Sequence, residues 1–226
     1  MKITCYGHAC ISVEVANRTL LFDPFISANE LAKTIAATAV PADYILISHG
    51  HMDHIADAVA IARRTGATAI SNFEITQWLS AQGVKKICPM NLGGTARFDF
   101  GRVKFVNAVH SSSLPDGTYG GNPGGFVVET PEGNFYFSGD TALTMDMKLI
   151  GESTRLKFAA LCLGDTFTMG IEDTVKAAEF VRCEQVLGIH YDTVPAIKID
   201  HDAAIKKFRA AGKKLHLLRA GESHIF

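Results

Sequence analysis

No apolar run in this chain approaches the roughly 20 residues that cross a bilayer, and its first residues, Met1-Lys2-Ile3-Thr4-Cys5-Tyr6, lack the long apolar stretch of a secretory signal. No membrane span is expected, and the cytoplasm is the expected location. Cysteine is sparse: Cys5, Cys10, Cys88, Cys162 and Cys183 are odd in number and scattered without C-x-x-C spacing. Reduced thiols packed in a core fit that distribution better than a disulfide framework. No basic block stands out, and 22 Lys and Arg nearly balance 23 Asp and Glu. A nucleic-acid partner or an electrostatic membrane patch is therefore not expected. No Pro/Ser/Gly-rich linker interrupts the 226 residues, so one domain over 1–226 with a substantial core is expected. These features leave the oligomeric state open.

What the chain does have is Ser48-His49-Gly50-His51-Met52-Asp53-His54, directly after the apolar run Tyr44-Ile45-Leu46-Ile47. Imidazole nitrogen and carboxylate oxygen are the donors preferred by borderline divalent ions such as Zn²⁺, and packing alone gives little reason to crowd them. A four-position H-x-H-x-D-H pattern arises by chance roughly a few times per million starting points, so the signal is strong. His49 and His51 are two apart and share a side in an extended segment, whereas on a helix they would diverge. The alanine-rich run Ile55 to Arg64, closed by Gly66, has the composition of a helix. The cluster thus reads as a strand-loop-helix junction able to wrap an ion.

Along the chain, short strand signals from Ile3 to Phe22 with a turn at Asn17-Arg18 predict an antiparallel start. A β/α rhythm follows: a helix near Leu31 to Thr38, strand Asp43 to Ser48, the helix after His54, strand Ala67 to Ser71, helix Glu74 to Gln82, and a strand near Lys85 to Cys88. The middle reverts to strands at Thr95 to Phe98, Val103 to Val109, Phe126 to Thr130 and Phe135 to Phe137, with Pro131-Glu132-Gly133-Asn134 a hairpin turn. Strands Phe158 to Leu163, Gln185 to Ile189 and Lys214 to Leu218 then alternate with helices Ile171 to Val181 and Asp202 to Ala211. One half echoes the other without a residue-level repeat. Two sheets packed face to face, with helices outside, would bury these runs and gather the strand-end loops at one edge.

Three further ligand-type residues each follow an apolar strand: His110 after Phe105 to Val109, Asp140 after Phe135 to Gly139, and His190 after Val186 to Ile189. A rigid scaffold that delivers single ligands from strand ends is a way to build a site from loops.

With these residues in place, the chain resembles the metallo-β-lactamase superfamily over its whole length. The resemblance implies an α/β fold, an αββα four-layer sandwich, and two divalent ions. One ion would be held by His49, His51 and His110, the other by Asp53, His54 and His190, with Asp140 bridging. Asp23 in Leu20-Leu21-Phe22-Asp23-Pro24 matches the family's early aspartate, which would orient the ligand loop. Secondary motifs such as Gly7-His8-Ala9-Cys10, Tyr119-Gly120-Gly121-Asn122-Pro123 and His190-Tyr191-Asp192-Thr193 resemble a subgroup of small metal-dependent hydrolases whose wider kin include the ascorbate-phosphate lactonases. His51 and Asp140 disfavour the flavodiiron branch and the class B β-lactamases.

Two ions sharing a carboxylate lower the pKa of a water between them until hydroxide exists near neutral pH. The expected activity is hydrolysis of a small ester, lactone or phosphoester, with Asp53 and Asp140 central to catalysis. His8 is a candidate substrate contact or proton donor. Zn²⁺ is the first choice of metal; Mn²⁺, Fe²⁺ and Ni²⁺ accept the same N/O donors. The alternatives are a ribonuclease Z-like phosphodiesterase, which the near-neutral charge disfavours, and a non-catalytic metal-binding protein. Ser111 to Ser113 read as loop solvation or as a binding element for a polar substrate, and Gly117 to Gly125 as a lid. Asp165 is a candidate contact to a ligand or substrate, a capping role before Ile171 being too distant in sequence. His201, His216 and His224 read as structural or exposed.

Overall fold

The protein is described by a computed structural model covering residues 1–226. Fourteen strands form two seven-stranded sheets. The first begins with the meander β1 (Lys2–Gly7), β2 (Cys10–Val15) and β3 (Arg18–Phe22), then continues in parallel through β4 (Tyr44–Leu46), β5 (Thr68–Asn72) and β6 (Ile87–Met90). The second repeats the plan. An antiparallel run of β7 (Thr95–Phe98), β8 (Gly101–Asn107), β9 (Gly124–Thr130) and β10 (Gly133–Phe137) passes into parallel β11 (Leu156–Cys162), β12 (Gln185–Ile189) and β13 (Lys214–His216). The short β14 (Ser223–Ile225) returns to the first sheet and pairs with β1. The echo between halves is thus topological.

The strands read as continuous apolar runs because both faces of each sheet are covered. On β3, Leu20 and Phe22 enter the large core between the sheets while Leu21 faces the other way, into a second cluster with Ile45 and Ile47. That second cluster is closed by α2 (Ala58–Thr65) and α3 (Phe73–Ala81), through Ile61, Ile75 and Leu79. On the far side, α4 (Asp146–Ser153), α5 (Ile171–Phe180) and α6 (His201–Ala210) cover the second sheet. The result is the expected αββα sandwich. Between the sheets, Phe22 lies 4.8 Å from Phe137, and Phe135 stacks on Phe158 at 4.9 Å. Truncating any of these buried rings to alanine costs roughly 3–5 kcal/mol.

Local expectations hold unevenly. The first hairpin turns at Ala16 and Asn17, both at positive φ, one residue earlier than predicted. The predicted helix from Leu31 to Thr38 is instead two 3-10 turns, Glu30–Ala32 and Ala37–Ala39. β-Branched Thr34, Ile35 and Thr38 lower helix propensity there, and only Ala32 is buried within those turns, so no apolar face anchors a helix. Helix α4 and strand β14 carry too little local signal to be seen in sequence. All five cysteines are unpaired, and no helix is long and apolar enough to cross a membrane.

Candidate metal centre

β1, β3, β8 and β10 run the same way within their sheets, as do the parallel strands that follow, so their C-terminal ends gather at one edge. His8, Asp23, His49 to His54, His110, Asp140 and His190 all follow such ends. The two sheets touch there: Gly124 N donates to Ser48 O at 3.0 Å. Gly139, at φ +58°, passes so close that an added Cβ would lie 2.6 Å from the Ser48 Cβ. Gly50 is equally constrained, since a Cβ there would meet the Ser113 carbonyl oxygen at 2.9 Å. Only glycine lets the loop between His49 and His51 press against the neighbouring segment.

The loop is held from behind. Buried Asp23 accepts from Ser48 N at 2.7 Å through one oxygen, and from Ser48 Oγ at 2.6 Å and His54 Nδ1 at 2.7 Å through the other. Because the Ser48 hydroxyl gives its proton to Asp23, it accepts from His49 Nδ1 at 2.9 Å. With Nδ1 carrying the hydrogen, His49 presents the Nε2 lone pair forward. Asp57 anchors the same region from the other side, accepting from Ile26 N at 2.6 Å and Ser27 N at 2.9 Å. It also breaks the predicted helix after His54, which begins as the single turn α1 (Met52–Ile55) and restarts as α2, ending on Gly66 at φ +70°. Asp57 was not singled out from sequence; its only signal is a second carboxylate four residues after Asp53.

Besides the buried set Asp23, His49 and His54 that backs the loop, two ligand-type groups result. The donor atoms of His49, His51 and His110 lie within 4.8 Å of one another, and those of His8, Asp53, His54 and His190 do the same. In the first group His49 Nε2 faces His51 Nδ1 at 2.9 Å. Between the groups stands Asp140. Its Oδ2 is 2.9 Å from His190 Nε2, 3.3 Å from His54 Nε2, 3.7 Å from His110 Nε2 and 3.9 Å from His49 Nε2. One carboxylate oxygen thus faces histidines of both groups.

The donor chemistry suits divalent cations. His54 Nε2 and Asp140 Oδ1 are buried with no hydrogen-bond partner, an expensive condition for polar atoms unless something else engages them. His190 Nδ1 is unpartnered too, and an ion at its Nε2 does not account for that. Burial opposes charge on His54, yet Asp140 and Asp23 hold its pKa well above the ordinary histidine range. Burial likewise opposes charge on Asp140, and His54 and His190 hold it well below the usual carboxylate range. Positive charge is therefore favoured between these carboxylates. His49 is pushed well down by burial and stays neutral, as a ligand nitrogen must be.

His8 belongs to this centre more closely than its place between the first two strands suggests. It is buried at φ +56°, its Nε2 lies 3.1 Å from Asp53 Oδ2 and its Nδ1 2.8 Å from Thr193 Oγ1. Burial pushes its pKa down to about 4 despite Asp53. A neutral ring that donates from Nε2 to Asp53 leaves Nδ1 to accept the Thr193 hydroxyl, at the expense of that hydroxyl's longer 3.4 Å contact to Tyr191 O. Although burial works against its charge, Asp53 is held well below the usual carboxylate range by that hydrogen bond and by His54.

The secondary candidates divide. Ser112 is a clamp, accepting from Gly50 N at 3.1 Å and donating to Gly120 O at 2.9 Å, whereas Ser111 Oγ reaches His51 Nε2 at 3.4 Å. The glycine-rich run is tied down by Asn72, whose amide donates to Gly120 O at 2.7 Å and Asn122 O at 3.1 Å. The Asp165 carboxylate is used locally: it accepts from Thr166 N at 2.7 Å inside a tight loop, and it neither caps α5, whose start carries no side-chain cap, nor reaches a ligand residue. His201 pairs with Asp192 at 2.6 Å, and the rings of His216 and His224 lie 4.3 Å apart, tilted by 45°.

Known proteins share this architecture. Residues 18–191 match the family model described as Beta-lactamase superfamily domain. A UPF0173 metal-dependent hydrolase of Methylacidiphilum infernorum (isolate V4) is 54% identical over 225 residues, covering 100% of each chain. Igni18, described as a novel metallo hydrolase from the hyperthermophilic archaeon Ignicoccus hospitalis KIN4/I, superposes with a TM-score of 0.90 at 34% identity, covering 100% of this chain and 98% of that one. The isothiocyanate hydrolase from Delia radicum gut bacteria shares the fold at 19% identity and a TM-score of 0.78, covering 100% and 99% of the two chains.

Proposed function

Because the chain belongs to the metallo-β-lactamase superfamily and is similar throughout to metal-dependent hydrolases, we propose that it hydrolyses a small ester, lactone or phosphoester at a two-metal centre. The whole of 1–226 would act as one domain. His49, His51 and His110 form one ligand set, Asp53, His54 and His190 the other, and Asp140 joins them. The observation that carries this reading is the single Asp140 oxygen facing His190, His54, His110 and His49 at 2.9–3.9 Å. Divalent ions held there supply Lewis acidity and an activated water near neutral pH.

The chain's own residues do the rest. Asp23 and Ser48 fix the ring orientations of His54 and His49, so that Nε2 points forward without reorganisation. His8 positions Asp53 through its N–H; a direct proton-donor role would require that bond to break. The imidazole-rich set favours Zn²⁺ first, with Mn²⁺, Fe²⁺ and Ni²⁺ compatible. Five free thiols fit a reducing compartment such as the cytoplasm.

The test is elemental analysis followed by a panel of chromogenic lactones, phosphodiesters and thioesters. About two transition-metal ions per chain, with turnover that disappears on chelation and returns with added metal, are expected. Asp140→Asn is expected to lose both metal and turnover. Protein free of transition metal, with activity unchanged in Asp140→Asn, overturns the proposal.

A further inference from the structure

A cavity of about 550 Å³ opens beside the metal centre, within the size range of small-ligand sites. Its walls come from the end of β1, the first residue of α6 and its neighbours, and the loop from β13 to β14. The body is apolar, made by Leu31, Ile205, Leu215, Leu217 and Leu218. Leu31, 42% exposed, presents its aliphatic side chain to the hollow.

Two features connect this cavity to the chemistry. His8, which hydrogen-bonds Asp53, also lines the cavity, so one imidazole borders both. Tyr191 and Asp192, the residues immediately after His190, line it as well. The Tyr191 hydroxyl donates to Leu218 O at 3.1 Å, tying the β13–β14 loop to the loop that carries His190.

The charge in the cavity has one sign to spare. Asp192 is already engaged, accepting from Ile199 N at 3.1 Å and paired with His201 at 2.6 Å. Arg219 also lines the cavity; its amide donates to Glu222 at 2.9 Å, but its guanidinium forms no ion pair. An unpaired guanidinium beside an apolar hollow is complementary to an oxyanion on an apolar body.

We propose that this cavity is the subsite for an apolar arm of the substrate that ends in an oxyanion, with Arg219 reading the charge and Leu31, Ile205 and Leu217 the apolar body. The assignment to substrate rests on the hydrolase reading above. The reacting group sits at the metal centre while the arm passes His8 into the cavity, so esters with such an arm are preferred over short neutral ones.

The experiment is calorimetric titration of the purified protein with octanoate, octyl phosphate and octylammonium. Saturable binding of the two anions, at least about tenfold tighter than the ammonium, is expected. Arg219→Glu is expected to reverse that preference, Arg219→Lys to retain it in weakened form, and Ile205→Trp to fill the cavity and abolish binding, each with a cooperative melt showing that the variant folds. The catalytically silenced Asp140→Asn is expected to bind octanoate as the parent does. If octanoate binds but no ester, lactone or phosphoester is turned over, the hydrolase reading fails while the cavity stands. If turnover is found, octanoate must inhibit it competitively; non-competitive binding overturns the assignment to substrate. No saturable octanoate binding, or binding indifferent to Arg219→Glu, overturns the subsite itself.

Discussion

Asp23 accepts a hydrogen bond from His54 Nδ1 at 2.7 Å, with both side chains fully buried. The pair fixes which His54 nitrogen faces the metal centre. In Asp23→Asn the amide has nearly the same shape, but it can present an N–H toward Nδ1 and favours the wrong tautomer. Metal affinity is expected to fall about 10–100-fold. Competition titration with a chromogenic chelator measures it, and unchanged affinity would show that Asp23 merely closes a turn before Pro24.

Gly50 tests the loop geometry by a different route. A methyl group there must move the Ser113 carbonyl or the loop itself, because the contact would be 2.9 Å. Gly50→Ala is expected to destabilise the protein by about 1–3 kcal/mol and to weaken the site formed by His49, His51 and His110 ahead of the other. Thermal melts with and without metal, alongside metal stoichiometry, separate the two effects.

Metal removal has its own signature. If the folded chain binds ions that the unfolded chain does not, free metal at a hundred times Kd adds about 2.7 kcal/mol of stability. For a chain of this size that raises Tm by roughly 5–10 °C. Scanning calorimetry of chelated and reloaded protein is the check; coincident melts would mean that the donors hold no ion.

How far the sequence reveals this site depends on how far apart the partners lie. His49 to His54 announce themselves because their spacing is local and their residue types are dense. His110, Asp140 and His190 become legible only as a repeated strand-end pattern joined to a family resemblance. The bond from His8 to Asp53 spans 45 residues, and only the fold brings the two together. The same holds for structure. Continuous apolar strands were plain, whereas α4 contains Gly151, a poor helix former tolerated because its bare Cα packs against the end of α5, where a Cβ would lie 2.3 Å from Phe180 O. β14 is three residues long and exists because β1 offers it an edge.

His216 allows a pH prediction away from the metal centre. Burial, reinforced by His224 and Lys214, pushes its pKa down to about 4, and its Nε2 sits 2.9 Å from Gln185 Oε1. A neutral ring can donate that hydrogen bond without a charge beside His224. The folded state therefore resists protonation that the unfolded chain accepts below its ordinary value of about 6.5. Unfolding then takes up as much as about one proton through this group between pH 6.5 and 4, so its contribution to stability is intact above that window and declines as pH falls through it. His216→Gln removes the titration and is expected to flatten this part of the Tm–pH profile relative to the parent. Differential scanning calorimetry at half-unit pH steps makes the comparison, and parallel profiles for the two proteins would show that acid sensitivity in this window arises elsewhere.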